Sequence, residues 1–364
     1  MLRKLVTSVS FAALLAIPAA AKDGALQMVA IDVEGGGGTL FVTPEGKSLL
    51  IDTGNPEVSR ATGNHPSSER IVAAASALGV KKIDYLLITH YHGDHIGGFE
   101  GLLARIPIGT VIDHGENRET TASPNPTAAP IDMKNPPPGS TAYGYQHYMQ
   151  AIGNRHHIVA KPGDVFHIGS MTVTIVMADA KPLSKPLPGA GEDNPSCAGM
   201  PGMAGNGGEE NARSTASVIS YGKARIAAFG DLTWDREKDL FCPTDKVGKV
   251  DVYLATHHGT ALSGSPAAVN ALAPIVAIMG NAARKGDDPE RAKTIEASPR
   301  IQGLWRLHSS TVNPQIDGDH QMIANPDADQ SKDEFYNLRL RIQKSGEITV
   351  INERNGFNKT YQVK

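Results

Sequence analysis

Four side chains that can bind a metal ion lie within six residues of one another. Residues 89–98 read T-H-Y-H-G-D-H-I-G-G, so His90, His92, Asp94 and His95 form a His-x-His-x-Asp-His motif. Imidazole nitrogens and carboxylate oxygens are good ligands for Zn²⁺. The chain has 13 histidines among 364 residues, so three of them within six positions are not expected by chance. The motif therefore predicts a metal site.

The spacing within the motif suggests a site for two ions. His90 and His92 are two residues apart and can converge on one ion from an extended segment. Asp94 and His95 follow a bend at Gly93 and can turn toward a second ion. A pair of ions can share an activated water that attacks a carbonyl or phosphoryl centre. We expect Asp94 to be the catalytic residue, which holds this water and accepts its proton.

The motif resembles the signature of the metallo-β-lactamase fold superfamily. Three other segments are similar to further motifs of that family, in the same order along the chain: Asp52-Thr53-Gly54, Phe229-Gly230-Asp231 and Thr256-His257-His258-Gly259. The resemblance covers residues 26–280. It implies an α/β (α+β) fold, namely an αββα sandwich with long loop insertions. It also implies a metal-dependent hydrolase with two Zn²⁺ ions bridged by Asp231, and Mn²⁺ is the other candidate metal.

Two roles in this site have alternatives. We expect His257 to bind metal, with His258 as the alternative, because adjacent side chains on a strand point to opposite faces. The ring that does not bind metal would orient the substrate or pack. Asp52 is expected to hydrogen-bond to His92 or to another ligand rather than to bind metal itself.

One histidine that many superfamily members carry before the bridging aspartate is missing here. Residues 211–214 read N-A-R-S. The first metal would therefore keep His90, His92 and Asp231, and Asn211 or water would complete its shell. Histidines elsewhere in the chain could replace the missing one, although a surface or loop position is the simpler interpretation for each: His114, His308 and His320. The acidic Glu237 is interpreted as part of a solvated helix face.

Alternating strands and helices must position these residues. A buried strand over 83–88 leads into the motif, and a rigid strand end aims side chains accurately. Other strands are predicted over 26–33, 39–43, 48–51, 110–112, 165–168, 171–176, 218–221, 225–229, 251–255, 274–279, 338–342 and 348–351, and helices over 70–78, 99–106, 143–152 and 266–271. This order predicts sheets covered by helices. We expect one domain over 22–364, with insertions near 116–140 and 185–212 and a C-terminal extension over 281–364.

Residues 1–21 have the pattern of a secretory signal peptide. Arg3 and Lys4 precede an apolar stretch over 5–17, and small residues follow up to position 21. We expect cleavage before Lys22 and an exported, periplasmic or secreted product without a membrane anchor. Cys197 and Cys242 could form a disulfide in such an oxidising compartment.

Charge and missing motifs exclude several other functions. The net charge is −3 and no run of five basic residues occurs, which argues against a nucleic-acid partner. The sequence has no G-x-S-x-G segment and no G-x-x-x-x-G-K-[ST] segment, so neither a serine hydrolase nor a phosphate-binding loop is indicated. Gly35–Gly38 is interpreted as a turn between two strands.

The favoured hypothesis is a phosphoester or phosphodiester hydrolase. It follows from the paired-His-Gly segment, which with residues 211–214 is most similar to the superfamily branch of ComEC-type nuclease domains and choline-phosphate esterases. The alternative is a hydrolase of lactones or cyclic amides, including β-lactams. A second alternative is a non-catalytic, metal-stabilised binding protein, against which the intact motif and Asp231 argue.

Overall fold

The computed structural model describes residues 24–59, 61–122, 128–198, 208–311, 319–326 and 334–363. The predicted signal peptide therefore lies outside the described residues. The strands are β1 (Leu26–Ala30), β2 (Thr39–Val42), β3 (Ser48–Ile51), β4 (Ile83–Leu87), β5 (Ile108–Asp113), β6 (His157–Val159), β7 (Val165–Ile168), β8 (Met171–Ala178), β9 (Lys181–Pro182), β10 (Ala216–Tyr221), β11 (Ala224–Ala228), β12 (Val252–Leu254), β13 (Val276–Met279), β14 (Gly303–His308), β15 (Ile323–Asn325), β16 (Leu338–Ile342), β17 (Glu347–Asn352) and β18 (Asn358–Gln362). The helices are α1 (Ser67–Ala77), α2 (Gly93–Ile96), α3 (Phe99–Arg105), α4 (Thr141–Ile152), α5 (Gly208–Asn211), α6 (Trp234–Phe241), α7 (Pro266–Leu272) and α8 (Pro289–Glu296).

These strands form two mixed sheets. The first has the order β18-β17-β16-β1-β2-β3-β4-β5-β6, and its strands from β3 to β6 are parallel. The second has the order β15-β14-β13-β12-β11-β10-β8-β7, with β9 paired to β8, and its strands from β11 to β15 are parallel. Each sheet thus combines an antiparallel part with a parallel part whose strands end at a common edge.

The two sheets pack face to face and helices cover their outer faces. Along β1, Met28 points into a core shared with β11, β13 and β14 of the second sheet, whereas Val29 points to the other face. This alternation follows from the two-residue period of a strand. Helices α1, α3 and α4 pack on the outer face of the first sheet, and α6, α7 and α8 pack on that of the second. The structure is therefore an αββα sandwich, which confirms the predicted fold class.

Strands from the C-terminal part of the chain complete both sheets. Strand β14 extends the second sheet beside β13, and β16 pairs antiparallel with β1 in the first. Cys197 and Cys242 form a disulfide that links the turn Pro195–Cys197 to the end of α6. Among the described residues, no helix is both long enough and apolar enough to cross a membrane.

The prediction that Glu237 lies on a solvated helix face was wrong. Its side chain is fully buried, and its two carboxylate oxygens accept hydrogen bonds from the backbone N–H groups of Gly264 and Ser265, each at 2.8 Å. These donors stand just before α7. Glu237 therefore joins α6 to the beginning of α7, because buried backbone donors require an acceptor.

We predict that Glu237→Ala lowers the free energy of unfolding by about 2–4 kcal/mol, because it leaves two buried N–H groups without an acceptor. Urea unfolding followed by circular dichroism measures the change. Glu290→Ala is the matched control, since Glu290 is exposed and pairs with Lys293 on the surface of α8. Equal stability of the two variants would contradict the structural role of Glu237.

Candidate metal centre

The predicted site residues lie where the carboxyl ends of strands from both sheets meet. Asp52 follows β3, and the His-x-His-x-Asp-His motif follows β4. Asp231 follows β11, and His257 and His258 follow β12. Because β3 and β4 are parallel neighbours, as are β11 and β12, these ends share one edge of the sandwich.

Four residues converge on one point at this edge. Asp94, His95, Asp231 and His258 each offer a ligand atom, and these atoms all lie within 4.8 Å of one another. The Nε2 atom of His95 is 3.3 Å from both Asp94 Oδ2 and Asp231 Oδ1, and the Nε2 atom of His258 is 3.4 and 3.5 Å from the same oxygens. This donor set has the composition of a Zn²⁺ site.

Several of these atoms lack a hydrogen-bond partner although they are buried. Nε2 of His95, Nε2 of His258 and Oδ1 of Asp231 have none among the described residues. An unsatisfied buried polar atom costs about 1–3 kcal/mol, and a cation that three such atoms contact would offset this cost. The residues present therefore fit a metal ion.

The electrostatics of the cluster keep its carboxyl groups ionised. Burial acts to raise the pKa of Asp231, but the imidazoles of His257, His95 and His258 outweigh it and hold that pKa well below its usual value. Burial acts in the same direction on Asp94, and there the Lys285 ammonium is the largest opposing charge, so the pKa is again well below its usual value. Both groups are therefore carboxylates at neutral pH, the form that binds a cation.

A second group of nitrogens faces the other oxygen of Asp231. His90 Nε2 lies 3.1 Å from His92 Nδ1 and 4.0 Å from Asp231 Oδ2. His257 Nε2 lies 3.3 Å from the same oxygen and 3.5 Å from Asn211 Nδ2. Asp231 thus presents one oxygen to each group, which is the arrangement that a bridging carboxylate needs.

Neighbouring groups hold the distal nitrogens of the rings. His95 Nδ1 is 2.7 Å from Asp52 Oδ2, and Thr89 donates to both oxygens of that carboxylate. His258 Nδ1 is 3.1 Å from the carbonyl of Gly280. Such partners fix the tautomer and the orientation of a metal-binding imidazole. Asp52 therefore contacts a histidine of the motif as expected, and that histidine is His95 rather than His92.

The expectation that His257 and His258 point to opposite faces was wrong. They lie in a 3₁₀ turn, Thr256–Gly259, and not on a strand. Both have left-handed backbone conformations, with φ of 56° and 58°. Strand alternation does not apply to such a turn, so both rings reach Asp231 and each faces a different oxygen.

The three alternative histidines do not reach the centre. His114 Nε2 is 3.0 Å from Glu210 in a fully buried pair, and His308 Nε2 is 2.8 Å from Asp32 in another buried cluster. Neither residue lies at the surface, because each is buried and paired with a buried carboxylate. His114 does lie in a loop, directly after β5, whereas His308 is the last residue of β14. His320 is exposed, as expected. Asn211, which lies in the segment where many superfamily members carry the missing histidine, does reach the centre through His257.

Two charged residues at the centre had not been identified from the sequence. Glu119 lies in the predicted insertion near 116–140, yet it is 2% exposed, lies 3.2 Å from His92 Nε2 and accepts a hydrogen bond from Thr141 Oγ1. Lys285 contacts the carboxylate of Asp94. Glu119 is separated from its histidine by 27 residues and Lys285 from its aspartate by 191, so no local pattern could have indicated either contact.

The glycine-rich loop between β1 and β2 packs closely against the Asp52–His95 pair of the centre. A Cβ atom at Gly37 would lie 2.5 Å from Asp52 Oδ2 and 2.6 Å from His95 Nδ1, which is too close for any side chain. The loop joins two antiparallel strands as predicted, and glycine at this position allows its backbone to close over the Asp52–His95 pair.

A cavity of about 850 Å³ opens beside the centre. Asp94, Asp231, His257, Asn211 and Lys285 line its end at the metal centre. Its other walls carry aromatic and apolar side chains from α3, α4 and the turn after Thr256–Gly259, including Phe99, Tyr143 and Leu262. A cavity of this size and lining is typical of a site for a small molecule.

The chain matches the family model described as the metallo-beta-lactamase superfamily over residues 34–180. It is 32% identical over 124 residues to a hydroxyacylglutathione hydrolase of Stenotrophomonas maltophilia (strain R551-3), which is 34% of this chain and 37% of that protein. It is 32% identical over 74 residues to the competence protein ComA of Neisseria gonorrhoeae, or 20% of this chain and 11% of that protein. The chain therefore spans well under half the length of either relative. The solved structure of the metallo-beta-lactamase fold protein YhfI from Bacillus subtilis is 12% identical, with a TM-score of 0.44, over 78% of this chain and 96% of that one.

We predict that Glu119→Ala weakens Zn²⁺ binding by about 10–100-fold, because His92 loses the carboxylate that orients its ring. Competition between the protein and a chelating dye measures the Zn²⁺ affinity. Glu116→Ala is the matched control, since the Glu116 side chain is 75% exposed and pairs with Arg118. If both variants bind Zn²⁺ as tightly as the unmodified chain, Glu119 does not position His92.

Proposed function

Because the family-model match supports membership of the metallo-beta-lactamase superfamily, we propose that this chain is a metal-dependent hydrolase of phosphoester or phosphodiester bonds. The observation that carries the metal-dependent reaction is the convergence of Asp94, His95, Asp231 and His258 on one point, with buried atoms that lack partners. Asp94 and His95 follow a strand of the first sheet, and Asp231 and His258 follow strands of the second.

The proposed cofactor is a pair of Zn²⁺ ions, with Mn²⁺ as the alternative. Asp94, His95 and His258 would hold one ion and the facing group of His90, His92 and His257 the other, with Asp231 between them. When bound, the metal supplies a water that ionises near neutral pH and balances the negative charge that develops during attack.

The protein groups around the water have separate tasks. Asp94 is the most exposed of the cluster carboxylates, with 22% of its side chain accessible, and it lines the cavity. It is therefore the group proposed to hold the attacking water and to accept its proton. Asp52 and the carbonyl of Gly280 keep the rings of His95 and His258 oriented during the reaction.

Two observations favour a phosphoester over the alternatives. The paired-histidine turn and the short match to ComA both agree with the ComEC-type and choline-phosphate-esterase branch. The ammonium group of Lys285 beside Asp94 also suits a negatively charged substrate. A lactone or a cyclic amide, including β-lactams, stays the second candidate substrate, and the match to a hydroxyacylglutathione hydrolase agrees with attack on a carbonyl centre. A metal that only stabilised a binding protein would have a closed ligand shell, whereas Asp94 lines an open cavity.

Export to the periplasm or the medium is part of the proposal. Its support is the signal-peptide pattern of residues 1–21 together with the disulfide between Cys197 and Cys242. Disulfides persist in oxidising compartments and are rare in the cytosol.

We predict that the purified chain hydrolyses bis-p-nitrophenyl phosphate, that a chelator abolishes this activity and that Zn²⁺ or Mn²⁺ restores it. Asp94→Ala should lower kcat by about 10²–10⁴, because the attacking water loses its proton acceptor. His320→Ala is the control, since His320 is exposed and is not one of the residues that line the cavity. Release of p-nitrophenolate, followed by absorbance, measures the rates.

Two results would count against this function. Rapid turnover of nitrocefin or of a homoserine lactone with no phosphodiester hydrolysis would favour the second candidate. Full activity of Asp94→Ala on any substrate would remove the proposed role of that residue.

A further inference from the structure

Lys285 places a positive charge at the end of the cavity nearest the metal centre. Its Nζ atom contacts Asp94 Oδ2, and 38% of its side chain is accessible. In the part of the chain that the structure describes, no arginine and no other lysine lines this cavity. An ammonium group that is both anchored and accessible can contact a bound molecule.

The backbone around Lys285 holds the side chain in place. An isolated antiparallel bridge joins Ala282 to Lys285 just after β13, with the N–H of Ala282 donating to the carbonyl of Lys285 at 2.9 Å. A Cβ atom at Gly35 would lie 3.3 Å from Cδ of Lys285, so the aliphatic stem rests on this glycine. The position of the ammonium group is therefore set by two separate loops of the centre.

The charges at the centre leave Lys285 available to an anion. Two divalent ions would carry four positive charges, and four carboxylates lie at the centre to offset them, those of Asp52, Asp94, Glu119 and Asp231. Lys285 would add one further positive charge, which an anionic oxygen of the substrate can meet.

A second polar group at the same end of the cavity lacks a partner. Asn211 is 3% exposed, and its Oδ1 atom has no hydrogen-bond partner among the described residues. Its Nδ2 atom lies 3.5 Å from His257 Nε2. The cavity end is thus polar on the sides of both Lys285 and Asn211, while its far walls are mainly aromatic and apolar.

We propose that Lys285 binds an anionic oxygen of the substrate, such as a phosphoryl oxygen, beside the metal centre. This inference rests on the proposed function and defines the class of substrate as a negatively charged ester, with its remaining group against the walls formed by α3 and α4. A charge-assisted hydrogen bond from the ammonium group would supply the recognition.

The test compares phosphate binding by four metal-loaded proteins: the unmodified chain, Lys285→Gln, Lys285→Arg and Lys293→Gln. Isothermal titration calorimetry with inorganic phosphate gives the Kd after removal of free metal, and elemental analysis gives the metal content. We expect Lys285→Gln to raise the Kd about tenfold with unchanged metal content, and Lys285→Arg to raise it less. Lys293→Gln controls for net charge, since Lys293 is exposed on α8 and should leave the Kd unchanged.

Three outcomes would overturn the inference. They are an unmodified chain that does not bind phosphate, a Kd that Lys285→Gln leaves unchanged, and a loss of metal from Lys285→Gln that accounts for the loss of phosphate binding. The last would show that Lys285 only supports the metal ligand Asp94.

Kinetics separate this inference from the proposed function. With bis-p-nitrophenyl phosphate, Lys285→Gln should raise KM about tenfold and change kcat less, because the lost contact serves binding. Hydrolysis with an unchanged KM would refute the role of Lys285 alone. Phosphate binding that depends on Lys285 without any phosphodiester hydrolysis would refute the proposed reaction and leave the anion site standing.

Discussion

The centre depends on one carboxylate that stands between two groups of imidazoles. Asp231 comes from the second sheet, yet its Oδ1 faces His95 of the first sheet and its Oδ2 faces His257. It is almost fully buried and ionised, which is tolerable because the surrounding imidazole rings offset the loss of hydration. Every other element of the site is arranged around this buried charge.

This constraint explains why the site lies at the seam of the sandwich. Neither sheet alone carries both the His-x-His-x-Asp-His motif and Asp231, so the donor set exists only when the shared core brings the two strand edges together. A metal bound there would connect the two sheets in addition to serving the reaction. Metal affinity and folding stability are coupled in such a site, because the unfolded chain does not preform it.

The connections between the strands form the walls of the cavity beside the centre. Helix α4 and Glu119 come from the part of the chain between β5 and β6, and Lys285 follows β13. Glu119 joins this part of the chain to His92 through a single contact, while α4 forms a wall of the cavity. The candidate metal ligands thus lie at the strand ends, and the shape and charge of the cavity come from the connections between the strands.

Features that depend on short spacing could be predicted from the amino-acid sequence. The cluster from His90 to His95 and the alternating strands and helices follow from residue types and from periods of two and 3.6 residues, which act locally. The αββα class was implied by the resemblance of the motifs to the metallo-β-lactamase fold superfamily. The tertiary structure alone decided that His257 and His258 both face Asp231, because their left-handed turn overrides strand alternation. It also decided the burial of Glu237, the burial of His114 and the contact of Lys285 with Asp94. These properties depend on the partners that a charged or polar group meets when it leaves water, and those partners lie far away along the chain.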